Sequence, residues 1–168
     1  MRLFSALVPP ATVVTEVAAA LGDTSGGLRW SPPQDWHVTL AYYGEADEGE
    51  RATKLASALA GQPLLDVRLG GPGTFPGVLW LDVVSEGLAQ LAQAAGADRD
   101  ERPYRPHLTL ARFPRERPGT AEPWLQRLAG FTSRGWTAGE VALVGTAATG
   151  GPRYRVLRTF PLGRASKG

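Results

Sequence analysis

Alternating apolar and polar residues recur in short runs along the chain, and each run predicts a β-strand with one buried face. The seven predicted strands are residues 2–8, 36–43, 64–69, 78–84, 107–113, 141–147 and 154–160. Glycine and proline are concentrated at 70–77 and again at 149–152. These two segments predict the turns that join neighbouring strands.

Apolar residues at helical spacing predict four helices between these strands. The predicted helices are residues 11–21, 47–60, 86–97 and 120–130. Asp47 and Glu50 have the spacing of a capping box at the start of the second helix. Residues 22–35 and 99–106 are rich in turn-forming or charged residues and predict loops. Because helices alternate with strands and no long linker interrupts them, residues 1–168 are expected to form one two-layer α+β domain.

The residue types that are missing exclude several classes of enzyme. The chain has no cysteine, which excludes disulfide frameworks, thiolate zinc sites and cysteine nucleophiles. Two histidines, with no carboxylates at ligand spacing, leave too few ligands for a catalytic metal. No Gly-x-Ser-x-Gly elbow is present, and the glycines at 70–73 precede a predicted strand rather than a phosphate-binding helix. We therefore expect neither a metal nor a cofactor.

Hydropathy and charge indicate the compartment, the oligomeric state and the surface charge that we expect of the protein. No apolar run approaches the roughly 20 residues that span a bilayer, and the apolar N-terminal run is broken by Pro9. We expect a cytoplasmic protein, and since nothing suggests a second subunit, a monomer. The net charge of +2 combines −4 over residues 1–84 with +6 over residues 85–168. The basic C-terminal half is equally consistent with an anion-binding face and with an ordinary solvated surface.

Both histidines of the chain occur in the same pentapeptide. His37 begins the sequence HVTLA, and His107 begins HLTLA 70 residues later. By composition, the chance that the second histidine is followed by x-Thr-Leu-Ala is roughly one in a thousand. The repeat therefore indicates an internal duplication of one half-domain.

Strand geometry gives this repeat a chemical meaning. Alternate residues of a strand share a face, so His37, Thr39 and Ala41 are predicted to point away from the core, as are the matching residues from His107 to Ala111. If the two halves pack about a pseudo-twofold axis, the two imidazoles face one cleft. A neutral and a protonated imidazole can act as base and acid on a phosphate, while Thr39 and Thr109 donate to its oxygens.

An RNA end needs more than a phosphate site, because bases stack on aromatic side chains. The candidates for such stacking are Phe4, Tyr43, Phe75 and Tyr154. Core packing is the alternative fate of each of these rings. Arg153 and Arg155 flank Tyr154 and would share one face of a strand, where they could contact the phosphate backbone.

Seven segments of the chain form a recognisable set: MRLF at 1–4, LRW at 28–30, HVTLAYYGE at 37–45, GVLW at 77–80, PYRPHLTLAR at 103–112, GPRY at 151–154 and FPLG at 160–163. Together these segments resemble the bacterial and archaeal RNA 2′,3′-cyclic phosphodiesterases, also named 2′-5′ RNA ligases, of the two-histidine (2H) phosphoesterase superfamily. The resemblance covers nearly the whole chain. Asp35-Trp36 departs from the Asn and aliphatic residue that precede the first histidine in many relatives.

The resemblance implies a bilobal α+β fold in which two pseudo-symmetric antiparallel sheets, flanked by helices, surround a central cleft. It implies metal-independent hydrolysis of RNA 2′,3′-cyclic phosphate ends to 2′-phosphomonoesters. His37 would be the general acid that protonates O3′, and His107 the general base that activates water. Arg112 would add positive charge at the phosphate, and Arg105 stands where the family has a basic residue.

Three alternative functions remain open at this stage. The same histidine pair could perform 2′-5′ RNA ligation, which is the reverse reaction at one site, or cleave 2′-5′ phosphodiesters. A protein of another class, a non-catalytic module that binds RNA ends, could use the same cleft and leave the cyclic phosphate intact.

Overall fold

The computed structural model describes residues 1–25, 27–97, 104–146 and 153–163. Within these residues the chain forms nine strands: β1 (Arg2–Leu7), β2 (Arg29–Trp30), β3 (Val38–Glu45), β4 (Leu65–Phe75), β5 (Val78–Val84), β6 (His107–Arg112), β7 (Trp136–Ala138), β8 (Glu140–Thr146) and β9 (Tyr154–Pro161). The helices are α1 (Ala11–Leu21), α2 (Glu48–Leu59), α3 (Leu88–Ala94) and α4 (Glu122–Leu128), with short 3₁₀ turns at Pro33–Asp35 and Pro118–Ala121. None of these helices is long and apolar enough to cross a membrane.

All nine strands belong to one antiparallel sheet with the order β7-β4-β5-β6-β3-β1-β8-β9, and the short β2 pairs with β6 outside this path. The α+β antiparallel fold is therefore confirmed, but the two separate sheets that the resemblance implies are joined into one continuous sheet. Its two halves are joined at β3 and β6 through a single paired position, Val38 with Leu108. The two histidine strands consequently lie side by side at the centre of the sheet.

The two halves repeat one connectivity. The segment β1-α1-β3-α2-β4 corresponds to β5-α3-β6-α4-β8, and each copy contributes its last strand to the other half, since β4 pairs with β5 and β8 pairs with β1. This exchange supports the internal duplication inferred from the repeated pentapeptide.

The same irregularity occurs in both histidine strands. Thr39 pairs with Ala6 and Ala41 with Ser5, which leaves Leu40 as an extra residue in β3. In β6, Leu110 is the corresponding extra residue. A bulge of this kind reverses the alternation of side chains beyond it. The prediction that the alanine of each pentapeptide faces the cleft is therefore wrong, because Ala41 and Ala111 are buried in the core.

The main core lies between the sheet and the four helices. It is built from leucines and valines on the helix-facing side of the strands, packed against the apolar stripes of the helices, such as Val13, Val17 and Leu21 of α1. The opposite face of the sheet carries a smaller apolar cluster of Phe4, Ala6, Ala142 and Val144. The histidine cleft opens on this second face.

Most predicted elements are present, with boundaries shifted by a few residues. The Asp47 carboxylate accepts the backbone N–H of Glu50 at 2.8 Å and caps α2, as predicted. Two expectations were wrong: the segment at 70–75 continues β4 as far as Phe75 instead of forming a turn, and the short strands β2 and β7 were not predicted. The predicted turn at 149–152 and residues 99–103 of the predicted loop at 99–106 lie outside the described residues.

Gly73 has a packing role within the glycine-rich stretch. It pairs with Trp80 across the β4–β5 ladder, and the six-membered ring of Trp80 lies directly over its Cα. A Cβ at position 73 would overlap that ring, whereas a Cβ at Gly71 in the same strand would meet no atom within 4 Å. Glycine is thus required at position 73 so that Trp80 can lie against the sheet.

We expect Gly73→Ala to destabilise the protein by about 1–3 kcal/mol, the usual effect of overpacking. The matched variant Gly71→Ala is expected to change the free energy of unfolding by less than about 0.5 kcal/mol, because its methyl group enters open space. Urea unfolding followed by tryptophan fluorescence measures both. Equal stability of the two variants would contradict the packing of Trp80 on Gly73.

Candidate active site

The register of β3 and β6 places the repeated residues opposite one another. Because Val38 pairs with Leu108, one further step in each direction puts His37 opposite Thr109 and Thr39 opposite His107. The two histidines thus occupy diagonal positions, about 7–8 Å apart at the backbone. All four side chains line one cavity of about 40 Å³. The predicted meeting of two imidazoles and two hydroxyls is therefore present in the structure.

Each imidazole is held by the same backbone contact. His37 Nδ1 lies 2.7 Å from the carbonyl oxygen of Asp35, and His107 Nδ1 lies 2.8 Å from that of Arg105. A carbonyl oxygen can only accept, so Nδ1 carries the hydrogen in both rings. Nε2 is consequently the nitrogen of each ring that is free to accept or donate a proton in the cavity.

Aromatic side chains pack against both imidazoles. Phe4 and Tyr154 contact His37, with ring centroids 4.9 and 5.2 Å away, and Phe75 contacts His107 at 4.9 Å. These contacts restrict the orientation of the imidazole rings and remove water from one side of each. Each ring therefore presents Nε2 to the cavity in a limited range of directions.

Burial against these rings lowers the pKa of His37 below its ordinary value. The contact with the Asp35 carbonyl and the Asp35 charge oppose this shift, whereas His107 and Arg153 add to it. The influence of His107 reflects the proximity of the two imidazoles, because a positive charge on His107 disfavours one on His37. In the protein without ligand, the neutral form of His37 is therefore favoured.

Two arginines and an exposed tyrosine also contribute to the wall of the cavity. Arg112 and Arg153 line it, and Tyr42 stands on its rim with three quarters of its side chain exposed. Tyr42 and Arg112 are the sixth residues of the two repeats, and the bulges at Leu40 and Leu110 turn both of them toward the cleft. The cleft thus gains one cation and one aromatic ring from equivalent positions.

The remaining predicted site residues are placed as follows. Tyr154 lines the cavity, but its ring packs edge-on against Phe4 and His37. The guanidinium of Arg105 lies 4.9 Å from the centroid of Trp80, and Arg105 is not among the residues that line the cavity. Arg155 does not line it either, although Arg153 does.

The aromatic side chains considered for base stacking lie in different environments. Phe4 is buried between neighbouring rings. Tyr43 lies on the helix-facing side, where its hydroxyl donates to the carbonyl of Ala95 and contacts Ser5 Oγ, so core packing and not base stacking is the outcome for this candidate. The rings still available for stacking are therefore the exposed ring of Tyr42, which was not predicted, and the partly buried rings of Phe75 and Tyr154.

Sequence reasoning also missed Ser31 and Asp35 as residues that line the cavity. Ser31 follows β2, a strand of two residues that is too short for a periodic pattern to reveal. Tyr42 had a detectable signal, because aligning the two pentapeptides and extending them by one residue matches it with Arg112.

Tyr104 braces the junction of the two halves. Its hydroxyl donates to the carbonyl oxygen of Thr39 at 2.6 Å, which connects the segment before β6 to β3. Burial raises the pKa of Tyr104, so the hydroxyl stays protonated and remains a donor. This bond helps to keep Thr39 beside His107.

Comparison with known proteins identifies a family and several relatives that the chain resembles. The family model described as the 2′-5′ RNA ligase superfamily matches residues 8–150. The chain is also similar to proteins named RNA 2′,3′-cyclic phosphodiesterase. The protein from Thermus thermophilus is 32% identical to it, over 96% of this chain and 90% of the relative. The protein from Archaeoglobus fulgidus is 31% identical, over 73% of this chain and 78% of the relative. The chain spans about half the length of the relative from Geobacillus stearothermophilus, to which it is 29% identical.

Solved structures share the fold. The crystal structure of TT0787 from Thermus thermophilus superposes with a TM-score of 0.72 at 26% identity and covers 99% of this chain and 100% of that one. The crystal structure of E. coli LigT complexed with NADP⁺ superposes with a TM-score of 0.73 at 26% identity, covering 97% and 98%.

The depressed pKa of His37 makes stability depend on pH in a defined direction. Between the folded pKa and the ordinary value of about 6.5, the unfolded chain binds a proton that the folded chain does not. We therefore expect the contribution of His37 to stability to be complete above about pH 6.5 and to decrease as the pH falls toward its folded pKa.

NMR titration of the His37 ring should report a pKa below about 6.5, and urea unfolding of His37→Gln should lack the corresponding loss of stability in acid. A His37 pKa at or above the ordinary value would contradict the desolvated environment described here.

Proposed function

Since the chain belongs to the 2′-5′ RNA ligase superfamily, we propose that it hydrolyses the 2′,3′-cyclic phosphate ends of RNA to 2′-phosphomonoesters. The observation that carries the proposal is the placement of two imidazoles, each with a free Nε2, around one small polar cavity. One nitrogen can accept a proton while the other donates one, which is what a phosphodiester hydrolysis without a covalent intermediate requires.

In the proposed reaction His107 Nε2 takes a proton from water as the water oxygen attacks phosphorus. The bond between phosphorus and O3′ breaks, and O3′ receives the proton from His37 Nε2. The product carries its phosphate on O2′, and proton exchange with solvent restores the two rings. The assignment of acid and base follows the family resemblance, because the pseudo-twofold arrangement alone permits either direction.

The lowered pKa of His37 is compatible with the role of general acid. A bound phosphate anion favours the protonated form of His37. Once protonated, a histidine whose pKa is depressed by burial releases its proton more readily to the leaving oxygen. Burial thus strengthens His37 as a proton donor after the substrate has bound.

The polar wall of the cavity suits a phosphate in the transition state. Thr39 and Thr109 provide hydroxyl donors, and Arg112 provides a guanidinium on the same wall. Arg105 is proposed to contribute through its carbonyl, which orients His107, and through a positive charge near the cleft. Donors that are already aimed at the phosphate stabilise its developing charge without reorganisation.

The size of the cavity indicates which part of the substrate it holds. A volume of about 40 Å³ in the described part of the chain accommodates a few water-sized atoms, which matches a phosphate group and not a whole nucleotide. The nucleoside is therefore proposed to lie across the rim, where the exposed ring of Tyr42 can stack on a base and Tyr154 can contact the ribose.

The relatives support this reaction class. Six curated relatives, including those from T. thermophilus and A. fulgidus, are named RNA 2′,3′-cyclic phosphodiesterase. The LigT structure contains NADP⁺, whose adenosine carries a phosphate on O2′ as the proposed product does. Ligation of 2′-5′ RNA ends, suggested by the superfamily's description, would be a second activity of the same pair, with the O5′ of another RNA as the leaving or attacking group.

We expect His37→Ala and His107→Ala each to lower the rate of hydrolysis of an RNA 2′,3′-cyclic phosphate by at least about 10²-fold, because each removes one proton-transfer step. Thermal unfolding should change little, since both rings face the cleft and not the main core. Retained activity in either variant would remove that histidine from the mechanism. Binding of RNA ends with no turnover by the wild-type protein would favour the non-catalytic module.

Hydrolysis is expected to continue in excess EDTA, because the protein's own donors and bases perform the chemistry, and to yield only the 2′-phosphate. Phosphorus NMR against authentic 2′- and 3′-phosphates identifies the product. A 3′-phosphate would reverse the roles of the two histidines, and a loss of activity that zinc or magnesium restores would contradict the proposed mechanism.

A further inference from the structure

Two arginines lie directly opposite one another beside the cavity. Strand β2 pairs with β6 so that Arg29 faces Arg112 and Trp30 faces Ala111. Directly opposed residues of an antiparallel pair project from the same face of the sheet. Since Arg112 lines the cavity, Arg29 projects on the cleft face as well. Both side chains are exposed.

Strand β2 is firmly attached although it is only two residues long. The ring of Trp30 packs edge-on against Trp124 of α4, with centroids 4.6 Å apart, and the backbone N–H of Ser31 donates to the carbonyl of Leu110 at 2.9 Å. Ser31 lines the cavity, and Arg29 precedes it by two residues. At the rise of a strand, the Arg29 backbone is therefore about 6.6–6.8 Å farther along from the cavity.

An anion bound between the two arginines would offset their like charges. Like charges placed directly opposite each other across two strands destabilise a sheet. In the described parts of the chain, the ion pairs involve Met1, Lys54, Arg134 and Arg158, and none involves Arg29 or Arg112. A phosphate between or beside the two guanidiniums would relieve this repulsion. It could also accept the paired hydrogen bonds that a planar guanidinium donates.

Resting on the proposed function, we propose that Arg29 binds the phosphate on the 5′ side of the terminal nucleotide while the cavity holds the cyclic phosphate. The step from Ser31 to Arg29 is similar to the spacing of successive phosphates in a nucleic acid strand. Arg29 would then be a specificity residue that makes the protein act on the ends of RNA strands in preference to free cyclic nucleosides.

The test compares adenosine 2′,3′-cyclic phosphate with the same compound carrying a 5′-phosphate. We expect the wild-type protein to show about a tenfold higher kcat/KM for the 5′-phosphorylated compound. Arg29→Ala should abolish this advantage and change kcat/KM for the unphosphorylated compound by less than about twofold. Arg29→Lys should keep part of the advantage, because the positive charge remains but the planar guanidinium, which can donate two parallel hydrogen bonds to a phosphate, is lost.

Arg134→Ala is the matched control, because Arg134 is also exposed and pairs with Glu16 on the helical side of the sheet. It should leave the preference for the 5′-phosphate unchanged. The melting temperature of Arg29→Ala should equal or exceed that of the wild type, because the variant relieves the repulsion between Arg29 and Arg112.

Equal losses on both substrates in Arg29→Ala would overturn the proposal and indicate a contact with the base or the cyclic phosphate. A wild-type protein with no preference for the 5′-phosphate would overturn it as well.

Calorimetry with adenosine 2′-phosphate and adenosine 2′,5′-bisphosphate separates this proposal from the proposed function. If neither cyclic compound is hydrolysed, the proposed function fails, but tighter binding of the bisphosphate that Arg29→Ala abolishes would still support the role of Arg29. Equal binding of the two compounds would overturn it.

Discussion

The antiparallel pairing of Val38 with Leu108 is the contact on which the arrangement of the site depends. This single position joins the two halves of the sheet, and it lies between the histidine and the threonine of each repeat. Because side chains alternate along a strand, a slip of one residue would turn one histidine toward the core and leave the other alone in the cleft. The middle residue of each His-x-Thr triplet is therefore apolar and fully buried, while its neighbours face the cavity.

Several independent contacts hold this register and orient the reactive atoms. The Tyr104 hydroxyl connects the two halves at Thr39, and a backbone carbonyl two residues before each histidine binds its Nδ1. On the second side of the site, Gly73 lets Trp80 lie flat beside Phe75, which in turn packs on His107. The two histidines thus have equivalent backbone contacts but different aromatic neighbours, and the opposite proton-transfer roles proposed for them use this difference.

How far the sequence predicts this molecule can be judged from particular residues. The repeated pentapeptide was sufficient to bring His37, Thr39, His107 and Thr109 together, because the period of a strand is regular over three residues. The pentapeptide did not predict the face on which Ala41 lies, because a bulge depends on hydrogen bonding with the neighbouring strand and leaves no local signature in the sequence. For the same reason Tyr42 was overlooked and Tyr43 was assigned to the wrong face. Strand β2 was missed because its two residues are stabilised by β6 and α4, which are distant in sequence.

The pH dependence of kcat/KM on an RNA 2′,3′-cyclic phosphate tests the central claim, that two histidines share the proton transfers, most directly. The account predicts a bell-shaped profile whose limbs report two coupled ionisations of the histidine pair. A rate that is flat from about pH 5 to 9, across the range in which histidine titrates, or one that rises with a single limb, would contradict it.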